Sequence, residues 1–91
     1  MKSIIQTEKE CYICQSRQNL ESHHCIHGTA NRKLSERFGL KLWLCKSHHM
    51  EVHDKSNELD TYLKQVAQRK FEEVHGSRDA FMQIFGKNYI E

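Results

Sequence analysis

Ten consecutive residues, Leu44-Cys45-Lys46-Ser47-His48-His49-Met50-Glu51-Val52-His53, hold one thiol and three imidazoles. All four are side chains that bind transition metals. If a helix begins just after Cys45, His49 and His53 stand four residues apart, about 40° from each other around its axis and on one face. His48 precedes His49 by one position and points about 100° away. Two metal sites suit this arrangement better than one. Cys45 and His48 form a C-x-x-H half-site turned one way, and His49 with His53 turns another.

Upstream residues offer partners for both directions. Cys11-Tyr12-Ile13-Cys14 is a C-x-x-C followed by a polar turn. No βαβ pattern surrounds it, so a redox pair is the weaker expectation. Joined to Cys45 and His48, it makes a tetrahedral Cys3His zinc site, which stabilises a fold rather than catalysing. His23 and His24 follow in Asn19-Leu20-Glu21-Ser22-His23-His24-Cys25-Ile26-His27, where partial alternation predicts a strand. Adjacent strand residues point to opposite faces. One of the two histidines is therefore expected to face His49 and His53, and the other to look elsewhere or share the rim.

These groups must be positioned by a small scaffold. Ninety-one residues make one domain, too short to bury a large core without help from metal or association. Hydrophobic content of 37% leaves no stretch long enough to span a membrane. The start, Met1-Lys2-Ser3-Ile4-Ile5, runs straight into polar residues and predicts no signal peptide. The expected compartment is a reducing cytoplasm, where clustered Cys and His act as metal ligands rather than disulfides. Net charge is only +2, but residues 1–50 carry eight Lys/Arg against four Asp/Glu. That basic half holds most of the ligand types, a combination suited to a polyanion.

Residues 1–10 are expected to be an arm or short strand. Gly28 to Gly39 reads as a turn, a short amphipathic helix capped by Thr29 or Asn31, and a glycine stop. Arg32, Lys33 and Arg37 give that helix a basic surface for phosphate contact. Leu40, Leu42 and Leu44 alternate into a second strand that leads directly to the ligand-rich helix. Asp54-Lys55-Ser56-Asn57 supplies a break and a cap, followed by a helix with Leu59, Leu63, Val66, Ala67 and Phe71 on one face. Gly76 ends it, Ser77 caps a last helix carrying Phe81, Ile84 and Phe85, and residues 87–91 form a tail. His75, near a helix end, is expected at the surface.

Two chemistries are excluded by spacing. A zinc protease carries Glu directly after the first His of its i, i+4 pair. Here Met50 follows His49, and Glu51 lies about 200° from it around the axis. A base deaminase needs Pro-Cys-x-x-Cys after a His-x-Glu, and the chain contains no proline. Metal-assisted phosphodiester hydrolysis fits instead. A divalent cation held by His49, His53 and one strand histidine would polarise the phosphoryl oxygen, and the other strand histidine would accept a proton from water.

The chain resembles the HNH endonucleases of the ββα-metal fold, and within them small proteins encoded by phages and prophages. Cys11-x-x-Cys14, Glu21-Ser22-His23-His24, Gly28 to Gly39, Leu44-Cys45-x-x-His48-His49-x-x-x-His53 and Phe85-Gly86-Lys87-Asn88-Tyr89 carry the likeness. It implies an α+β fold, with a zinc-stapled, treble-clef-like ββα core over 1–55 and a helical extension over 56–91. It implies DNA cleavage with Zn2+ as structural ion and Mg2+, Mn2+ or another divalent cation at the catalytic site. By position, His24 would be the general base, and His23, His49 and His53 the catalytic ligands. Cys11, Cys14, Cys45 and His48 would hold the zinc, with His48 where Cys is commoner. The family's middle Asn falls on Leu40, which leaves Asn31 as the nearest loop-orienting candidate. DNA is the expected partner, a packaging terminase a second one by resemblance, and the state a monomer or homodimer. The competing expectation is a zinc-containing DNA-binding or packaging accessory module with weak or no activity.

Overall fold

Alternation and helical periodicity become elements at the expected places. A computed structural model describes residues 2–54 and 58–90. The order is β1 (Leu20–His24), α1 (Thr29–Phe38), β2 (Lys41–Cys45), α2 (Lys46–Val52), α3 (Glu58–Val74) and α4 (Arg78–Phe85). The fold is α+β, with one two-stranded antiparallel sheet and, among the described residues, four helices. The two strands pair in a register that sets Ser22 opposite Trp43, His23 opposite Leu42 and His24 opposite Lys41. Partners across an antiparallel pair share a face. His23 therefore lies with Leu42 on the core side, and His24 with Lys41 on the other.

β1 is shorter than the expected stretch 19–27. Asn19 has a positive φ of 53°, so regular pairing starts only after it. Beyond His24, Cys25 still donates its N–H to the Leu40 carbonyl, but Ile26 then turns into the core. His27 is thereby released from the strand. The turn into α1 is made by Gly28 at φ 108°, with no side-chain cap. The expected capping by Thr29 or Asn31 is thus not realised, because Thr29 is already helical and the glycine makes the reversal. Gly39, at φ 74°, ends the helix as expected. A Cβ there would collide with the backbone carbonyl of Lys2.

Residues 2–10 are an arm rather than a strand. Ser3 Oγ donates to the Lys41 carbonyl, Ile4 N–H to that of Gly39, and Trp43 N–H to Gln6 Oε1. Side-chain acceptors and donors replace a ladder, so the arm lies along β2 without pairing regularly.

Leu40, Leu42 and Leu44 are buried together with Ile26 and Val52, and this layer continues into Leu63, Ala67, Phe71, Phe81 and Phe85. Phe71 meets Phe81 edge-on at 5.4 Å between ring centroids, and Phe81 stacks on Phe85 at 4.7 Å. Such pairs add to the hydrophobic gain from their area. The apolar stripes of α3 and α4 are therefore core, as expected. Ser77 caps α4 by accepting from Ala80 N–H. The other expected cap, at Asn57, lies outside the described residues. His75 is exposed, and its Nε2 reaches the Phe38 carbonyl at 2.9 Å, tying the end of α3 to the end of α1.

Asn88 and Tyr89 pack back on α3 rather than trailing from α4. Gln68, fully buried on α3, donates to Asn88 Oδ1 at 2.7 Å and accepts from Tyr89 N–H at 2.7 Å. A buried amide needs such partners. Here they come from residues 88 and 89, which fold back over the helix. No helix among the described residues is long and apolar enough to cross a membrane.

Candidate functional site

The C-x-x-C sits in a tight turn: Gln15 N–H donates to the Cys11 carbonyl, and Gln15 takes a positive φ of 63°. Tyr12 N–H donates to the Trp43 carbonyl, docking that turn on β2. Cys45 is the last residue of β2 and the N-cap of α2, with His48 in the first helical turn. The four side chains converge. Cys45 Sγ lies 3.2 Å and Cys11 Sγ 3.5 Å from His48 Nδ1, and Cys14 Sγ is 3.9 Å from Cys45 Sγ. All four ligand atoms fall within 4.8 Å of one another, and none of the cysteines is in a disulfide. Ligands bonded tetrahedrally at about 2.0–2.3 Å stand about 3.3–3.8 Å apart. The cluster can hold a metal such as zinc. Burial opposes ionisation of Cys11, but backbone hydrogen bonds at Cys14, Cys45 and Ile13 outweigh it and draw the thiol down to about 6. A thiolate is the metal-binding form.

The second constellation lies on the other side of α2. His49 and His53 bring their Nε2 atoms to 3.2 Å of each other, and His23 faces both, at ring-centroid distances of 5.4 and 5.7 Å. One ligand nitrogen from each of the three lies within 4.8 Å of the others. His23 is 2% exposed, and its Nε2 has no hydrogen-bond partner among the described residues. Leaving a buried polar atom unpaired costs about 1–3 kcal/mol, a cost that a bound cation would remove. Burial, then repulsion from His49, His53 and His27, pushes the His23 imidazole down to about 3. Burial and the same kind of repulsion also lower His53. Neutral imidazole is the form that coordinates. Donor type, spacing and the orphaned nitrogen all fit a divalent transition-metal ion.

Acidic side chains orient these rings from outside. Glu21 Oε1 lies 2.5 Å from His49 Nδ1. An ionised carboxylate only accepts, so Nδ1 carries the proton and Nε2 presents its lone pair to the cluster. This is the usual support for a ligating histidine. Asp60, on α3, holds His27 Nε2 at 2.9 Å and also binds Lys64. His27 in turn packs against His23 and His53.

His24 points to the other face of β1. Its Nε2 contacts Glu36 Oε1 at 2.8 Å, and Glu36 Oε2 meets Lys41 Nζ at 2.5 Å. Hydrogen bonds from Lys41 and His24 draw the Glu36 carboxyl down to about 2. Both strand histidines nevertheless line one cavity of about 440 Å³, with Ser22, His27, Arg32, His49 and His53 among its walls.

Of the basic residues expected to contact phosphate, Arg32 lines this cavity and Lys33 an adjoining one, whereas Arg37 lies over the Phe38 ring. Asn31 lies near the start of α1 and does not line the cavity, and Leu40 is fully buried in the core. Sequence patterning alone gives no role to Glu21, His27, Glu36, Lys41 or Asp60. Glu21 carried a usable signal, two residues from His23 on the same strand face. Asp60 carried none, since it meets His27 across 33 positions. Comparison with protein-family models, curated proteins and solved structures returns no match.

Proposed function

We propose that the chain is a divalent-metal-dependent DNA endonuclease of the HNH type, with a ββα-metal core stapled by zinc. One observation carries this: His23, His49 and His53 converge around an orphaned buried nitrogen in the cavity that also holds His24 and Arg32. A zinc staple alone would explain the first cluster and leave this second one without a purpose.

A divalent cation bound there would polarise a phosphoryl oxygen and stabilise the departing 3′ oxygen. The chain's own residues do the rest. His24 takes a proton from the attacking water. Arg32 counters the charge that grows on the phosphate. Glu21 and the packing of α2 on the sheet keep the ligand rings oriented before substrate arrives. Catalysis then needs no rearrangement of the ligand set.

A second reading, an inactive zinc-containing DNA-binding or packaging accessory module, draws on Leu40, which occupies in the core the place of the family's middle Asn. Supercoiled plasmid incubated with the purified protein and Mg2+, Mn2+ or another divalent ion decides between them. Nicking or linearisation is expected, with His24→Ala slower by at least about 100-fold. No cleavage with any cation, together with one zinc per chain, would establish the accessory module.

A further inference from the structure

His24 is held by a chain of polar contacts that no part of the proposed mechanism has used. Its Nε2 lies 2.8 Å from Glu36 Oε1, and the second oxygen of Glu36 meets Lys41 Nζ at 2.5 Å. Lys41 is the residue directly opposite His24 in the sheet register. Glu36 reaches them from α1, the helix inserted between the two strands. We propose that Glu36 is the positioning residue for His24, fixing its tautomer and ring orientation, with Lys41 holding the carboxylate in place. This rests on the role of His24 as base but is legible without measuring activity.

The chemistry follows from what each atom can do. An ionised carboxylate has no proton to give. The hydrogen in the His24–Glu36 contact therefore belongs to Nε2, and Nδ1 is left with the lone pair. When Nδ1 accepts a proton from water, the imidazolium forms beside a carboxylate already in contact. That is the service an acid performs for a catalytic histidine in the serine hydrolase triad. The Lys41 ammonium keeps Glu36 an acceptor and occupies the oxygen that His24 does not use.

The scaffold around Glu36 is built to hold it still. Ser35, its neighbour, is fully buried, and its hydroxyl donates to the Ile26 carbonyl at 2.7 Å. Leu40 N–H donates to the Ser35 carbonyl, and Gly39 ends the helix one residue before that bond. The last turn of α1 is thus anchored to the loop after β1 on one side and to the start of β2 on the other. Glu36 and His24 also line a surface cavity of about 610 Å³ shared with Thr29, Arg32 and Lys33. The pair sits beside the two cations that would meet an anionic backbone, in reach of substrate.

Nitrogen-15 spectra of the histidine rings test the contact, and steady-state cleavage tests its use. In the wild type, His24 is expected as the Nε2–H tautomer. Glu36→Ala should lose that tautomer preference and lower kcat by about 10- to 100-fold with KM within about twofold, the same order as removing the outer partner of a metal-ligating histidine. Glu36→Gln keeps an acceptor oxygen and should retain the tautomer and recover much of kcat. Circular dichroism and zinc content should match the wild type in both. An active wild type whose Glu36→Ala variant shows an unchanged His24 tautomer, or an unchanged kcat, would overturn the positioning role. A wild type that cleaves nothing overturns the proposed function instead, and the spectra still report whether Glu36 sets the tautomer.

Discussion

At position 23 an imidazole is enclosed by two other imidazoles, with a nitrogen that finds no partner among the described residues. Core histidines are ordinarily hydrogen-bonded, because an unpaired polar atom in the interior is destabilising. The first cluster differs in chemistry: three sulfurs and one nitrogen, enough to close a tetrahedron without any place for substrate. The two constellations should therefore separate under mutation. Cys14→Ser is expected to remove the zinc and most of the folded population, read by metal content and circular dichroism, because structural zinc binding is folding energy. His49→Ala should keep one zinc per chain and a native spectrum. A Cys14→Ser protein with full zinc and unchanged stability would remove the staple from the account.

Between elements, the buried amide of Gln68 joins α3 to the C-terminal segment through Asn88 and Tyr89. Gln68→Leu leaves the Tyr89 N–H without its acceptor and should cost about 1–3 kcal/mol in denaturant unfolding. Glu72 links the same helix to Arg78 at the start of α4, and hydrogen bonds from Arg78, more than those from Gln68, lower its carboxyl from 4.5. A depressed carboxyl contributes stability above its unfolded value and loses it as pH falls through the folded value. The difference in Tm between wild type and Arg78→Ala should accordingly be present at pH 7 and shrink below about pH 4, remaining small because water still reaches the pair. A difference that grows on acidification would contradict that assignment.

Much of this was legible in local spacing. Cys45, His48, His49 and His53 fall within nine positions, so helical geometry alone separates their directions. The alternation of Leu40, Leu42 and Leu44 likewise marks a buried strand face. The sequence hid what depends on distant pairing. Glu36 reaches His24 only because α1 folds back over the strand, and Asp60 reaches His27 only because α3 packs beside the loop after β1. The helix start was missed for a different reason: Gly28 makes the turn through backbone freedom, while Thr29 and Asn31 have the side chains that usually mark a cap.

Over the whole molecule, α2 is the shared wall between two groups of potential metal ligands, with Cys45 and His48 on one side and His49 and His53 on the other. A 91-residue chain has little core to spare. A zinc held by Cys11, Cys14, Cys45 and His48 would tie the turn bearing Cys11 and Cys14 to that wall and so set the orientation of the helix that carries His49. Strong chelation should lower Tm and abolish cleavage together, and readdition of zinc alone should restore the fold without restoring full rate. Plasmid cleavage by wild type and His49→Ala, each carrying one structural zinc, is the most direct measurement. Titration with a divalent cation should raise the wild-type rate to saturation and leave His49→Ala at background. Equal, cation-dependent cleavage by both proteins would contradict a catalytic ion held by His23, His49 and His53.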